Sequence, residues 1–391
     1  MSPRITVIGC DGRPPGPAAT AALAAAKTVV SAARHRHLVP AGAELIELKH
    51  LDDALDSLGT RPGPVAVLAS GDPGFFGIVR ALRARGIKPD VIPAVSSVAL
   101  AFAKMGLDWD DALILSAHGR DPRQPLAAAL AHPKAAILTA PGTAAGLGKH
   151  LRDAGKTVYV AECLGTPRER LTDLGAEPPG DLADPNILIR LDEETPGEPR
   201  WLAGHQGAPD GWALPEDDFA HRDSMITKAE VRALVLARLG PGPGRTIWDV
   251  GAGSGSVAVE CARFGAHVVA VESDPAQCAR IRQNAERHRV RPQIVHGPAP
   301  EALGDLPRAD AVFAGGGDRA VLEAAIKHAS PRTVVVTLAA VTRVAETAAL
   351  LTKLGYQAEG VQLQASRLAP LPGGNHRLAA QNPVFVLWGR R

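Results

Sequence analysis

Residues Asp249-Val-Gly-Ala-Gly-Ser-Gly-Ser256 constrain this chain more than any other stretch. They follow an apolar run, Thr246–Val250, that reads as a buried parallel strand. They open a helix-like segment, 257–263. Further on, 268–272 reads as a second strand ending in the carboxylate of Glu272. Glycines at 251, 253 and 255 let the backbone approach a ligand that would clash with Cβ atoms. A carboxylate closing the next strand suits ribose hydroxyls. A dinucleotide fold wants G-x-G-x-x-G, with the pyrophosphate on the helix N-terminus. Here Ser256 stands where the third dinucleotide glycine would be, and Asp249 precedes the loop. A carboxylate there repels a diphosphate but not the sulfonium and ammonium of S-adenosylmethionine. An ordinary strand–helix turn would also use such glycines, so the weight lies on the loop taken together with Asp249 and Glu272.

At 391 residues the length suggests two domains, with three possible. Both halves alternate short β-rich runs with helix-sized segments, which predicts α/β layering with largely parallel strands. Between them, residues 191–218 crowd proline, glycine and acid, the chemistry of a linker. The boundary is expected near residue 200, giving domains 1–200 and 201–391. Trp201 and Trp212 are expected to pack on a domain face. The net charge of +2 argues against a nucleic-acid or membrane partner. Cys10, Cys163, Cys261 and Cys278 are scattered without a C-x-x-C pair, which speaks against a bound metal or a disulfide framework and for reduced cytoplasm.

In the C-terminal half, 275–288 reads as a helix with Asp274 as N-cap. Gln293–His296, 309–314 and 333–337 read as further strands. Gln357–Leu363 and 383–388 have no helix between them and can pair as an antiparallel hairpin at the sheet edge. The glycine loop resembles motif I of the class I methyltransferases, whose fold is a Rossmann-like seven-strand sheet. Met225-Ile-Thr-Lys-Ala-Glu-Val-Arg232 resembles a signature of the cobalamin-pathway C15-methyltransferases, as does Leu214-Pro-Glu-Asp-Asp-Phe219. His296-Gly-Pro-Ala-Pro-Glu-Ala302, Ala309-Asp-Ala-Val-Phe-Ala-Gly-Gly316 and Asn382-Pro-Val-Phe385 follow in the same order, with Pro298 where that family often has Asp. The resemblance implies that Thr227, Gly251, Ala252, Gly253, Ser254, Gly255, Glu272 and Ala299 contact S-adenosylmethionine. Taken by itself, Thr227 could instead be the N-cap of the following helix.

In the N-terminal half, strands are expected at 5–9, 65–68, 91–93, 112–115 and 135–138, each ending in a small-residue loop on one sheet edge. Ser70-Gly-Asp-Pro-Gly74 and Val95-Ser-Ser97 resemble the class III tetrapyrrole methyltransferases, closest to those acting at C5 of a corrin precursor. That resemblance implies a second S-adenosylmethionine site with Gly71, Asp72, Pro73, Ser96 and Ser97. The first loop, Gly9-Cys-Asp-Gly-Arg-Pro-Pro15, departs from the commoner Gly-x-Gly-Pro-Gly form. Arg34-His-Arg-His37 has the look of a cation cluster for a polyanion, though a solvent-exposed helix end is the more frequent explanation of such a run.

The order of the two resemblances is that of the fused precorrin-6Y C5,15-methyltransferases (decarboxylating) of cobalamin biosynthesis. It implies methylation of a tetrapyrrole, precorrin-6B, at C5 and C15 with loss of CO2 from the C12 acetate, and a homo-oligomer formed through the C-terminal domain. Such chemistry is catalysis by positioning, and no catalytic residue stands out. A substrate with many carboxylates needs cations, and Lys228, Arg367, His376, Arg377 and His118 (with Arg120) are the candidates. Arg367, His376 and Arg377 are expected in a loop between the last two strands. The alternative is a single active C-terminal domain carried by a binding or assembly module.

Overall fold

The computed structural model describes residues 4–48, 51–56, 58, 61–175, 181–192, 203–204, 207–222 and 226–391. Trp201 and Met225 lie outside them. The chain divides into two compact units, Met1–Arg120 with Lys134–Gly204, and Asp121–Pro133 with His205–Arg391.

The first unit holds two sheets. In one, β1 (Ile5–Cys10), β2 (Thr28–Ser31), β3 (Glu44–Glu47), β4 (Val65–Ser70) and β5 (Asp90–Ile92) run in the order β3-β2-β4-β1-β5. All its pairings are parallel. Val65 and Val67 enter one apolar cluster, Ala66 and Leu68 another. Both faces of β4 are therefore covered, which is why its sequence is a continuous apolar run rather than an alternation. The other sheet joins β6 (Leu113–Ser116), β7 (Lys134–Leu138), β8 (Thr157–Glu162), β9 (Arg170–Asp173) and β10 (Asn186–Leu191) in the order β6-β7-β10-β8-β9. Only β6 and β7 are parallel there, since β10 runs antiparallel to β7 and β8, and β8 to β9. The expectation of largely parallel strands fails for this sheet. Apolar runs such as Ile187-Leu-Ile189 are buried on both faces and carry no mark of direction.

The second unit is built on a seven-stranded sheet. Its strands are β11 (Thr246–Val250), β12 (His267–Glu272), β13 (Gln293–His296), β14 (Ala311–Ala314), β15 (Thr333–Leu338), β16 (Gln357–Leu363) and, after the hairpin strands β17 (Ser366–Pro370) and β18 (His376–Ala380), β19 (Val384–Arg390). The order is β13-β12-β11-β14-β15-β19-β16, parallel except for β19, which is antiparallel to both neighbours. The terminal antiparallel pair stands as expected. The segment between its strands is not a plain loop, because β17 and β18 pair with each other. Arg367, His376 and Arg377 therefore lie on strands, as the alternation of Ser366-Arg-Leu-Ala permits.

The helices α1 (Pro17–Ala25), α2 (Leu51–Asp56), α3 (Ile78–Ala84), α4 (Ser97–Met105), α5 (Arg123–Ala131), α6 (Ala144–Asp153), α7 (Ala229–Leu239), α8 (Ser256–Arg263) and α9 (Pro275–Arg287) follow in chain order; α4 follows β5, and α7, α8 and α9 surround the glycine loop. Asp274 caps α9 by accepting from the Ala276 amide at 2.8 Å. Lys228, not Thr227, is the N-cap residue of α7.

Candidate cofactor and substrate sites

The carboxyl ends of β11, β12 and β14 bring the glycine loop, Glu272 and Gly315 to one edge of the seven-stranded sheet. Gly251, Gly253 and Gly255 all have positive φ, at 72°, 56° and 74°. Their reasons differ. A Cβ on Gly251 or Gly253 would meet nothing within 4 Å, so these two open the loop toward free space. A Cβ on Gly255 would press on Ile281 at 2.9 Å, so this glycine lets α9 close onto the loop. Glu272 holds the loop from the next strand, its Oε2 accepting from the Gly253 amide at 2.8 Å and its Oε1 from the Asp274 amide at 2.9 Å. Oε1 also accepts from the Ser273 hydroxyl at 3.4 Å, which leaves the second lone pair of Oε2 for a ligand hydroxyl.

Asp249 does something other than face a ligand. It is 1% exposed, and its Oδ2 accepts from the Ala258 amide at 2.9 Å in the first turn of α8. Burial raises its pKa to about 7, with the charge of Glu272 adding to the rise. The carboxyl thus ties β11 to α8 beneath the loop. The electrostatic argument drawn from Asp249 against a diphosphate is weakened by this burial, and the discrimination falls to Glu272.

A strap formed by residues 212–222 lies against α8 and α9, held by buried polar side chains. Glu260, on an otherwise apolar face of α8, accepts from the amides of Ala213 and Leu214, both at 2.8 Å. Arg232 on α7 pairs with Glu260 at 2.8 Å, both side chains fully buried. The same guanidinium donates to the carbonyls of Leu214 and Thr227 and lies over the Phe219 ring. Asn284 bonds both the amide and carbonyl of Ala220 and also the Ser254 carbonyl at 2.8 Å. Strap and glycine loop are therefore fixed by one residue. Trp212 is 55% exposed and packs on Phe264. Arg232 sits in the quoted motif, but its pairing with Glu260 was not foreseen. An acid inside the apolar run Val257-Ala-Val-Glu-Cys261 was the available signal.

The expected cations are placed unequally. Arg367 is committed, its Nε and Nη2 donating to Glu230 and its Nη1 and Nη2 to Glu216, at 2.7–2.8 Å. Arg367 holds the Glu216 carboxyl down at about 2, and Glu216 also accepts from the Ala229 amide. This arginine fastens the β17–β18 hairpin to the strap and to α7. His376 and Arg377 are exposed on β18, and Lys228 is half-buried at the start of α7. Ala299 follows β13 and is partly buried against the core beneath β12.

In the first unit, Gly71 (φ 64°) donates its amide to the Cys10 carbonyl at 2.7 Å, which joins the ends of β4 and β1. Asp72 accepts from the Gly74 amide at 2.7 Å, a local turn. Ser96 caps α4 by accepting from the Ala99 amide at 3.2 Å, and Ser97 begins that helix. A cleft of about 650 Å³ opens beside them, with Gly9, Asp11, Pro17 and Val95 in its lining. Gly71, Asp72, Pro73, Ser96 and Ser97 border this region without lining the cleft itself. His118 directs Nδ1 to the Thr139 carbonyl at 3.2 Å, and Arg120 lies 5.9 Å from the ring of Phe76. Phe76 itself has φ 51°, uncommon for a bulky residue.

Residues 217–390 match the precorrin methyltransferase domain family, and residues 17–177 match the tetrapyrrole (corrin/porphyrin) methylases. A precorrin-6Y C(5,15)-methyltransferase [decarboxylating] of Sinorhizobium sp is 35% identical over 84% of this chain and 82% of its own length. The chain belongs to the precorrin-6Y C(5,15)-methyltransferase (decarboxylating) family. A cobalt-precorrin-6B C(15)-methyltransferase (decarboxylating) of Salmonella typhimurium is 36% identical over 41% of this chain and 87% of its own. The solved C-terminal domain of a precorrin-6Y C5,15-methyltransferase from Rhodobacter capsulatus is 33% identical, covering 46% of this chain and 97% of that domain, with a TM-score of 0.40.

Methyltransferases of this family use S-adenosylmethionine. The second unit fits that group. Open space over Gly251 and Gly253 admits a ligand against the backbone, and the remaining lone pair of Glu272 Oε2 suits a ribose hydroxyl.

Proposed function

We propose that this chain methylates precorrin-6B at C15 and C5 and releases CO2 from the C12 acetate, with the second domain (201–391) acting at C15 and on the acetate and the first (1–200) at C5. The observation that carries the reading is the presence of both methylase domains in one chain, in the order of the relative that it matches along most of its length.

S-adenosylmethionine supplies a methyl already activated by its sulfonium charge. The protein's task is alignment. In the second domain Glu272 orients the ribose, Gly251 to Gly255 form the bed, and Thr227 and Ala299 flank it. The buried Arg232–Glu260 pair keeps Thr227 in place through its carbonyl. In the first domain Gly71, Asp72, Pro73, Ser96 and Ser97 form the second cofactor site. Lys228, His376, Arg377 and His118 receive substrate carboxylates, while Arg367, already holding two acids, anchors the hairpin. The chain acts in the cytoplasm, in keeping with four free cysteines, and among the described residues no helix is long and apolar enough to cross a membrane.

We also assign the hairpin to self-association. Leu368 and Leu378 face each other in its register and are 73% and 68% exposed. A two-stranded ribbon with such a face is marginal alone. Leu368→Glu is expected to lower the oligomeric state in sedimentation.

The functional reading is tested by mass spectrometry of the product made by the full chain from precorrin-6B and S-adenosylmethionine. Gain of two methyl groups and loss of one CO2 is expected. Glu272→Ala is expected to abolish the loss of CO2 and one methyl gain. A tetrapyrrole returned unchanged by the wild-type chain sinks the reading. A product with one methyl gained and CO2 lost supports the alternative of a single active C-terminal domain carried by a binding or assembly module.

A further inference from the structure

The run Arg34-His-Arg-His37 is not a free helix end. It forms a short 3-10 turn, Ala33–Leu38, at the carboxyl end of the first sheet. Arg34 Nε donates to Ser70 Oγ at 2.8 Å, and His35 Nε2 lies 2.7 Å from the same oxygen. Ser70 is the last residue of β4 and immediately precedes Gly71. Leu38, closing the turn, lines the cleft beside β1. Arg36 is answered by Glu47 at 3.5 Å, whereas Arg34 has no carboxylate partner among the described residues.

The hydroxyl of Ser70 accepts from Arg34 and has one proton to give. His35 is the group positioned to take it, through Nε2. Burial, with Arg34 and His37 adding to it, drives the His35 pKa down to about 4, so the ring is neutral and able to accept near neutral pH. The result is a guanidinium fixed at one edge, with Nη1 and Nη2 left to form a two-pronged bond.

We infer that Arg34, oriented by Ser70 and His35, is a carboxylate-binding subsite of the first domain that takes a side-chain carboxylate of the tetrapyrrole. The inference rests on the functional reading above. The cofactor also has a carboxylate, but it carries an ammonium beside it. Arg34, with no acid to offset it, repels that ammonium. A substrate whose periphery is carboxylate alone meets no such penalty.

The experiment uses the full chain, with precorrin-6B varied at saturating S-adenosylmethionine and the C5-methylated product followed by mass spectrometry. Arg34→Ala is expected to raise KM for the tetrapyrrole by about tenfold or more, the worth of a charge-assisted pair. Arg34→Lys recovers part of the loss, since a point charge replaces the fork. Ser70→Ala, which frees the guanidinium without removing it, raises KM less and leaves kcat near the wild-type value. Arg36→Ala serves as the control and leaves KM unchanged. The Kd for S-adenosylmethionine, by calorimetry, stays the same in Arg34→Ala. An unchanged KM in Arg34→Ala overturns the subsite, as does a weakened cofactor Kd with KM intact. Failure of the wild-type chain to turn over the tetrapyrrole would instead strike at the functional reading.

Discussion

The loop at Gly251–Gly255 and the loop at Gly71–Gly77 offer backbone at the carboxyl edge of a parallel sheet, but their supports differ in kind. The first is held by buried acids, with Glu272 gripping the Gly253 amide and Asp249 tying β11 to α8 beneath the loop, while Glu260 holds the strap that Asn284 joins to it. The second is held by its own turn at Asp72, by the Ser96 cap and by cations at Ser70. A loop supported by buried charge is rigid and costly to perturb. A loop supported locally tolerates change more readily.

The largest expected effect lies in the buried pair. Arg232→Met removes the nearest countercharge of the buried Glu260, leaving only Arg263 at 3.5 Å, and is expected to cost about 3 kcal/mol in denaturant unfolding. Arg232→Met with Glu260→Leu together should recover part of that. The exposed Arg34, by contrast, contributes about 0–1 kcal/mol to stability. Equal losses in Arg232→Met and Arg34→Ala would erase the contrast between the loops.

The glycines sharpen it next. Gly255→Ala imposes left-handed strain and drives a methyl into Ile281, for an expected loss of about 3 kcal/mol. Gly71→Ala has a nearest neighbour at 3.5 Å, the Ser97 amide nitrogen, so only the strain remains, about 1–2 kcal/mol. Thermal melts of the two variants should rank in that order.

Asp249 gives the comparison a pH axis. Its folded pKa, about 7, lies well above the usual carboxylate range because the side chain is buried. The stability it lends is complete below the unfolded value and is lost as pH rises through about 7. Asp249→Asn cannot titrate. The stability of the variant relative to wild type should therefore climb between pH 4 and 7 and level off above. A flat difference over that range would mean that Asp249 is not buried as described.

Much of this was legible in the chain itself. The glycine loop, the strand before it and the acid ending the next strand needed only spacing, because a buried parallel strand and a tight turn leave few choices of residue. Motif order carried the family. The antiparallel direction of β10 against β7 and β8 was not legible, since a strand buried on both faces reads alike in either direction. Nor was the commitment of Arg367. An arginine far along the chain from Glu216 and Glu230 shows nothing of its partners until the fold brings them together. Asp249 misled for the opposite reason, because its place in the motif suggested contact with a ligand while its side chain turns inward to α8.

Ser96 poses the smallest and most discriminating test. Its hydroxyl has a structural duty, capping α4, and a cap of this type contributes about 1 kcal/mol. It is also a candidate for the second cofactor site. The two duties predict different pairs of numbers. If the hydroxyl only caps, Ser96→Ala loses about 1 kcal/mol in a melt, and the Kd for S-adenosylmethionine follows any loosening of α4 and nothing more. Ser96→Asp, which retains a capping oxygen, would then restore both. If the hydroxyl also meets the cofactor, Ser96→Asp restores the melt but not the affinity, because a larger charged group occupies the ligand's place. That split would show the locally supported loop using one side chain for both tasks, whereas the loop at Gly251 divides them between Asp249 below and Glu272 above.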